Sequence, residues 1–165
     1  MKKVVFYLVL NTINHILKGT KFFNTKMKLL NFIGLNIGSG TKIVGPIKVG
    51  YINKVKIGND CWIGKNFSID GNGSVTIGDR CDIAPNVLIS TGGHQIGDIY
   101  RRAGKGLKFK TVIKNGTWIG TNVIIINGAN IDDSVVVAAG SLVIGDVEKN
   151  NLVAGVPAEV KKILV

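Results

Sequence analysis

The sequence predicts an all-β fold of short stacked strands, preceded by a short helical segment. Between Ile37 and Val143, an aliphatic residue recurs at every sixth position in several successive stretches of the chain. Gly or another small residue usually follows it. The 165 residues include 22 Gly and only 3 Pro. Ile and Val outnumber Leu in the second half, which favours strands separated by tight turns. An amphipathic helix would instead place its apolar residues three and four positions apart.

The first element is a basic, partly helical segment at residues 1–34. Residues 1–59 contain ten lysines and no acid, whereas residues 60–165 contain eleven basic and ten acidic residues. The apolar run from Val4 to Leu10 is far shorter than the ~20 residues that cross a bilayer. Two interpretations are open. The segment lies on an anionic membrane through its lysines and its apolar face, or it caps the first coil with a solvated charged face.

The repeat that follows predicts five coils of three short strands each. The first and fifth positions of each six are apolar or small, which is a strand-and-turn period. The first positions are Ile37, Ile43, Val49, Ile57, Ile63, Ile69, Ile77, Ile83, Ile89, Ile113, Ile119, Ile125, Ile131, Val137 and Val143. The fifth positions include Cys61, Phe67, Cys81, Val87, Val123, Ala129, Val135 and Ser141. Such strands stack about 4.8 Å apart, so we expect the two cysteines to pack in the core of successive coils without a redox role.

Three strands per coil form a three-sided prism, and all extra residues fall at one of its corners. Across that corner, inward positions are eight residues apart in coils one and two, twenty-four in coil three and six thereafter. Stacking constrains the interior of a solenoid, so insertions at a single corner mark an exposed binding edge. The long insertion, residues 92–112, contains His94 and is the predicted location of the functional site.

Three motifs resemble the hexapeptide-repeat acyltransferases: Ile-Gly-Asp-Arg-Cys-Asp at 77–82, Ile-Ala-Pro-Asn-Val-Leu at 83–88 and Trp-Ile-Gly-Thr-Asn-Val at 118–123. The resemblance covers residues 35–165. It implies a left-handed parallel β-helix, whose handedness the spacing alone does not reveal. It also implies a homotrimer with active sites between subunits, and a C-terminal cap at residues 149–165 that contains a short helix.

Ser-Thr-Gly-Gly-His at 90–94 opens the insertion and resembles the sugar and xenobiotic acetyltransferase branch of that family. In this branch a histidine at the start of the loop is the general base, which implies the same role for His94. The reaction needs a group that accepts a proton near neutral pH while the acceptor attacks the thioester, and imidazole meets that need. His15, in the basic segment, has no comparable context and is expected to be incidental.

The same resemblance implies an acetyl-CoA site along the C-terminal coils. Trp118, Thr121 and Ala139 match positions that line the pantetheine arm, with the backbone N–H groups of Thr121 and Ala139 as donors to its amides. For Trp118, packing between subunits is an equally supported interpretation.

The motif Ala-Gly-Val-Pro-Ala at 154–158 resembles the family's closing turn against the adenine, which implicates Gly155 and Pro157. Pro157 is expected to begin the short C-terminal helix. Lys161 and Lys162 on that helix are then expected to pair with the phosphates of CoA. The alternative is that two adjacent lysines near a chain end are simply solvated.

The sequence is less informative about the acceptor pocket. Asp70 and Asn72 lie at the insertion corner one coil before His94, while Tyr100 and Arg101 lie within the insertion. Asn72 stands where some sugar-acetylating relatives carry Asp. An amide can also hold a sugar hydroxyl, so this departure leaves the acceptor open. Asp70 is equally interpretable as an exposed turn residue.

These features predict transfer of an acetyl group from acetyl-CoA to a sugar hydroxyl in bacterial surface polysaccharide biosynthesis. The Lys- and Leu-rich start, running into Leu-Asn-Ile-Gly-Ser-Gly-Thr at 35–41, resembles polysaccharide acetyltransferases. One alternative is N-acetylation of an amino sugar or a small xenobiotic. Another is a basic module that binds polyanions without catalysis.

Metal and nucleic-acid functions are disfavoured. A zinc-dependent carbonic anhydrase on the same prism needs three histidines, and the chain has two, so no metal is expected. The coils are balanced in charge, and no aromatic platform interleaves with the lysines, which argues against nucleic acid. Two cysteines without a metal or disulfide pattern indicate a cytoplasmic setting, at the inner face of the membrane if the basic segment binds lipid.

Overall fold

The computed structural model describes residues 2–165, which form two helices followed by a parallel β-helix with a hairpin at one corner. Helix α1 spans Lys2–His15 and helix α2 spans Phe23–Phe32. Strands of successive coils pair in parallel and build three sheets. The predicted all-β solenoid is therefore confirmed.

Each sheet collects strands from successive coils. The first sheet contains β1 (Asn36–Ile37), β4 (Lys54–Ile57), β7 (Ser74–Ile77), β12 (Lys110–Ile113) and β15 (Asn130–Ile131). The second contains β2 (Lys42–Ile43), β5 (Trp62–Ile63), β8 (Asp82–Ile83), β13 (Trp118–Ile119), β16 (Val136–Val137), β18 (Asn151–Ala154) and β19 (Glu159–Ile163). The third contains β3 (Ile47–Val49), β6 (Phe67–Asp70), β9 (Leu88–Ser90), β14 (Ile124–Ile125) and β17 (Leu142–Val143).

The core follows the six-residue repeat. Every first-position side chain from Ile37 to Val143 is buried, and so is every fifth-position side chain named above. The registers align these positions in columns, for example Ile57 with Ile77 and Ile77 with Ile113. Cys61 and Cys81 are buried free thiols in successive coils, as expected of core residues. The predicted period thus assigned the interior correctly.

The corners depend on left-handed backbone conformations. Asp60, Asn66, Arg80, Asn86 and Asn122 all have φ between 53° and 62°. Asn and Asp tolerate this region better than other side-chain-bearing residues, which explains their recurrence at the fourth position of the repeat. Side-chain amides also connect coils at these corners, since Asn66 Nδ2 donates to Asn86 Oδ1 at 2.9 Å.

Five complete coils are followed by a partial sixth. Val147 forms an isolated bridge to Ile131, and β18 pairs with β16. The expected short C-terminal helix is wrong: β19 folds back antiparallel on β18 instead. The last strand of a solenoid leaves its backbone N–H and C=O groups unpaired, and an antiparallel return strand satisfies them where a helix would not.

The two helices cap the other end of the β-helix. Helix α2 contacts β1 and β2, and helix α1 contacts β3. Asn31 bonds both backbone groups of Ile37, accepting from its N–H at 2.8 Å and donating to its C=O at 3.0 Å. Asn14 does the same for Ile47, at 2.9 Å and 2.8 Å. Each amide therefore takes the place of a neighbouring strand, which supports the capping interpretation of the basic segment.

One lysine of the basic segment does not contribute surface charge. The side chain of Lys26 is fully buried, with Nζ donating to the Gly19 carbonyl at 2.6 Å and lying 4.8 Å from the centre of the Phe23 ring. Burial lowers the pKa of Lys26, because desolvation disfavours its charged form. The exposed positive charge of the cap comes from its other lysines.

Candidate active site

The long insertion is a β-hairpin rather than an irregular loop. Strand β10 (Gly92–Ile96) pairs antiparallel with β11 (Ala103–Lys108), and His94 lies opposite Gly106. The register shifts between His94 and Ile96. The hairpin leaves the β-helix at the corner between the third and first sheets, where the repeat predicted an exposed edge.

Thr91 ties this corner to the preceding coil, two residues after the inward Ile89. Its buried hydroxyl donates to the Asp70 carbonyl at 2.8 Å and accepts the Gly73 N–H at 3.0 Å. Its carbonyl accepts the N–H of Phe109 at 2.8 Å. Thr91 was not among the predicted site residues. Its position directly before the two glycines that precede His94 is the signal that could have identified it.

Two glycines let the coils meet closely beside His94. Gly71 has φ +89°, and a Cβ there would overlap the backbone nitrogen of Gly92. A Cβ on Gly93 would come within 2.8 Å of the Phe109 ring. A side chain at position 71 would therefore force the backbone to move, and one at position 93 would displace the Phe109 ring.

His94 is oriented by a backbone carbonyl. Its Nδ1 lies 2.9 Å from the oxygen of Gly104 on the opposite strand. A carbonyl oxygen only accepts hydrogen bonds, so Nδ1 carries the proton and Nε2 holds the free lone pair in the neutral ring. The ring is solvent-accessible. This arrangement presents Nε2 as a proton acceptor.

A cleft of about 570 Å³ opens beside His94, lined by Gly71, Asn72, Ser90, Gly92, Gly93, His94, Gly106, Leu107 and Lys108. Asn72 is thus brought to the histidine, as the acceptor-pocket prediction requires. Asp70 is not among the lining residues. Its carboxylate faces Lys48 Nζ at 2.8 Å on the exposed face of the third sheet.

Tyr100 and Arg101 lie at the tip of the hairpin, away from this cleft. The Asp98 carboxylate accepts the backbone N–H groups of both residues at 3.0 Å, which shapes the turn. The Tyr100 side chain is 92% exposed. Within one protomer, these two side chains are therefore not beside His94.

The predicted donor residues collect at a different corner, between the second and third sheets. Ile119, Val137 and Val153 are in register, so Thr121, Ala139 and Gly155, each two residues later, stack in three successive coils. Among residues 2–165, no protein acceptor takes the N–H of Thr121 or of Ala139. Trp118 precedes this corner on β13 and is 56% exposed.

The closing turn packs on the third sheet. Leu142 N–H donates to the Gly155 carbonyl at 3.0 Å, and Ala158 N–H donates to the Leu142 carbonyl at 2.8 Å. Pro157 lies in this turn and begins no helix. Lys162 is on β19 opposite Leu152, and Lys161 pairs with Glu159 at 3.1 Å on the surface.

Two further features bear on function. Among residues 2–165, no three or more His, Cys, Asp or Glu side chains come together in a way that could hold a metal ion. No helix in the same range is long and apolar enough to cross a membrane.

Known proteins share this architecture. The sequence is 36% identical over 124 residues to galactoside O-acetyltransferase of Escherichia coli K12. A crystal structure of a hexapeptide-repeat acetyltransferase from Vibrio cholerae matches with a TM-score of 0.85 and 27% identity, over 99% of this chain and 91% of that one. The chain is similar in sequence and in fold to the hexapeptide-repeat acetyltransferases. The Vibrio cholerae protein has also been solved with acetyl-CoA bound. No protein-family model matches the chain.

This hexapeptide-repeat chain is also 33% identical over 130 residues to polysialic acid O-acetyltransferase of Escherichia coli O1:K1. The matched part is 75% of this chain and 61% of the galactoside enzyme, and 78% of this chain and 42% of the polysialic acid enzyme. The chain thus spans less than two thirds of the length of these curated relatives.

Proposed function

We propose that this chain transfers an acetyl group from acetyl-CoA to a sugar hydroxyl of a bacterial surface polysaccharide or its precursor. The observation that carries the proposal is the hydrogen bond of His94 Nδ1 to the Gly104 carbonyl, which leaves Nε2 unbonded on a residue that lines an open cleft. Relatives that acetylate galactosides and polysialic acid support a sugar acceptor.

His94 is the general base of the proposed step. Nε2 takes the proton of the acceptor hydroxyl as its oxygen forms a bond to the acetyl carbonyl carbon. The carbon–sulfur bond breaks, and the imidazolium returns the proton to the leaving thiolate. The Gly104 carbonyl keeps the ring in the required tautomer and stabilises its positive charge in between. In this proposal Asn72, which lines the same cleft, binds a sugar hydroxyl.

The corner formed by Thr121, Ala139 and Gly155 fits the pantetheine arm of acetyl-CoA. The amides of the pantetheine arm need hydrogen-bond partners. The N–H groups of Thr121 and Ala139 have no protein acceptor within residues 2–165 and can donate to the amide carbonyls of the arm. A Cβ on Gly120 would come within 2.6 Å of the Ala139 nitrogen, so glycine is needed for the close stacking of the two coils at this corner. In this proposal Trp118 lines the arm, Gly155 and Pro157 flank the adenine, and Lys161 and Lys162 are near the phosphates.

Acetyl-CoA and free CoA are both expected to raise the melting temperature, because each binds only the folded protein. At a hundred times Kd, binding contributes about 2.7 kcal/mol, which corresponds to roughly 5–10 °C for a domain of this size. Thermal unfolding measures the shift. ATP at the same concentration is the control for general binding of polyanions. Equal shifts with ATP, or no shift at millimolar CoA, would favour the non-enzymatic polyanion-binding module.

The proposal includes a homotrimer. His94 lies at the corner between the third and first sheets, while the donor corner lies between the second and third, so one protomer holds them apart. A neighbouring protomer related by rotation can bring its donor corner to His94. The exposed Trp118 and Ile124, 56% and 40% accessible, supply apolar contact surface beside that corner. Light scattering of the full chain tests this, and a monomeric mass at working concentration would contradict it.

We also infer that the cap attaches the enzyme to the inner face of the membrane, in the cytoplasm. The buried side of α1 is formed by Phe6, Leu10 and Ile13, which leaves Val4 and Leu8 62% and 60% exposed. The exposed Lys2 and Lys3 begin the same helix. Apolar side chains beside lysines, without acids, are typical of a surface that binds anionic lipid.

Point variants test this attachment better than truncation, because α1 and α2 cover the first coil. Replacing Lys2 and Lys3 by Gln and Val4 and Leu8 by Ser is expected to lower co-sedimentation with phosphatidylserine vesicles at least about tenfold, since each lysine contributes about 1 kcal/mol. High salt is expected to weaken wild-type binding. A variant with Lys65→Gln, Lys149→Gln, Val160→Ser and Ile163→Ser is the matched control, because it removes the same charge and exposed apolar side chains outside the cap. Equal sedimentation of both variants would leave capping as the role of the segment.

A further inference from the structure

The side of the cleft that would receive the acceptor is strongly basic. Residues 92–112 contain five basic residues and a single acid, Asp98. That carboxylate is occupied at the tip of the hairpin, where it accepts two backbone N–H groups. Lys108 lines the cleft together with His94. Asp70, at the same corner, has its carboxylate paired with Lys48 at 2.8 Å.

The basic surface continues onto the first sheet. The register places Lys54 and Lys110 on either side of Ser74, in one row across β4, β7 and β12. These residues begin their strands directly after the insertion corner, so the row runs along the edge nearest the cleft. With strands about 4.8 Å apart, the two lysines lie about 10 Å from each other. Lys56 lies outward in the next row, beside Thr76.

These lysines lack partners of opposite charge. Within residues 2–165, salt bridges involve Lys48, Lys114 and Lys161, and none reaches Lys54, Lys108 or Lys110. Lys54 and Lys110 are both exposed. At about 10 Å their mutual repulsion is largely screened by salt, so the two charges can stand on one row at little cost to the fold. No ion pair within residues 2–165 uses them, which leaves both ammonium groups available to an anionic ligand.

We propose that the acceptor is anionic and that its negative groups bind along this row and at Lys108 of the cleft. These residues, Lys54, Ser74, Lys108 and Lys110, are here called the lysine track. The proposal rests on the acetyl transfer proposed above and names its acceptor class. The hydroxyl to be acetylated lies in the cleft at His94, and a nearby carboxylate or phosphate of the same molecule lies over Lys110 and Lys54. Oxyanions are the shared chemistry, supplied by an acidic sugar or by a diphosphate-linked one.

Acetyl-transfer assays test whether the acceptor is anionic. The three acceptors to compare are an oligosaccharide of hexuronic acid, a UDP-sugar and a neutral galactoside. We expect the wild type to prefer one of the anionic acceptors, and this preference identifies the source of the charge. Lys54→Gln with Lys110→Gln is expected to raise KM for that acceptor about tenfold and to reduce its salt dependence, because two charge-assisted contacts are lost. The KM for the neutral galactoside is expected to stay unchanged.

A matched double variant, Lys65→Gln with Lys149→Gln, removes the same charge from exposed positions outside the track. It is expected to keep wild-type KM values. Equal kcat/KM for neutral and anionic acceptors, or equal effects of the two double variants, would overturn the lysine track while leaving sugar acetylation standing. Titration of the hexuronic oligosaccharide and the UDP-sugar without acetyl-CoA separates the two proposals. Binding that depends on Lys54 and Lys110, without transfer to any acceptor, would refute the acetyl transfer alone.

Discussion

Replacing His94 by Ala is expected to lower turnover by at least ~10², because the variant has no group to take the proton of the acceptor hydroxyl. The side chain is exposed on the hairpin and makes one hydrogen bond, to the Gly104 carbonyl. Its loss should therefore leave the melting temperature and the affinity for CoA close to wild type. Release of CoA thiol with acetyl-CoA and a sugar acceptor measures the effect.

The chain offers a matched control for this experiment. His15 lies at the end of α1, is exposed and has no place in the cleft. His15→Ala is expected to keep wild-type turnover. Near-wild-type turnover by the purified His94→Ala protein, with the acceptor that the wild type uses, would remove His94 from the mechanism.

Replacing Gly71 by Ala is expected to cost about 2–4 kcal/mol in the free energy of unfolding, from a left-handed backbone and an overpacked contact. Gly71 has φ +89°, and its added Cβ would lie 2.9 Å from Gly92 Cα and from the Thr91 carbonyl carbon. The backbone must move to relieve this contact. Because Gly92 is two residues before His94, turnover should fall together with stability.

Denaturant unfolding and thiol release measure both effects on the same preparations. Gly145→Ala is the control, since no heavy atom lies within 4 Å of its added Cβ and its backbone is not left-handed. Its stability is expected to change by no more than about 0.5 kcal/mol. If Gly71→Ala unfolds like this control and keeps wild-type turnover, the close stacking of the corner does not position His94.

The six-residue period was sufficient to predict the interior positions. Three six-residue steps make one coil and the extra residues fall at one corner, so Ile57, Ile77 and Ile113 were predicted to form one column. The registers confirm this column. The insertion corner was predictable for the same reason, because extra residues can leave a stacked coil only where they do not break the columns.

The C-terminal strand was not predictable in the same way. Residues 159–163 carry no period, and the family resemblance implied a helix there. A strand forms instead, because the backbone N–H and C=O groups at the free edge of β18 need hydrogen-bond partners. A pattern of side chains does not reveal that need. The buried Lys26 is a similar case, since composition counts its charge but only packing shows that Gly19 and Phe23 enclose it.

Some features of the candidate site were predictable from the sequence, and others were not. Local spacing was enough to predict the all-β repeat, its interior and the position of His94 near the start of the insertion. The fold was needed to show which nitrogen of His94 is free, that Thr91 anchors its corner, and that Lys54 and Lys110 share one row. Those facts depend on residues far apart in the chain, and their positions become defined only when the coils stack.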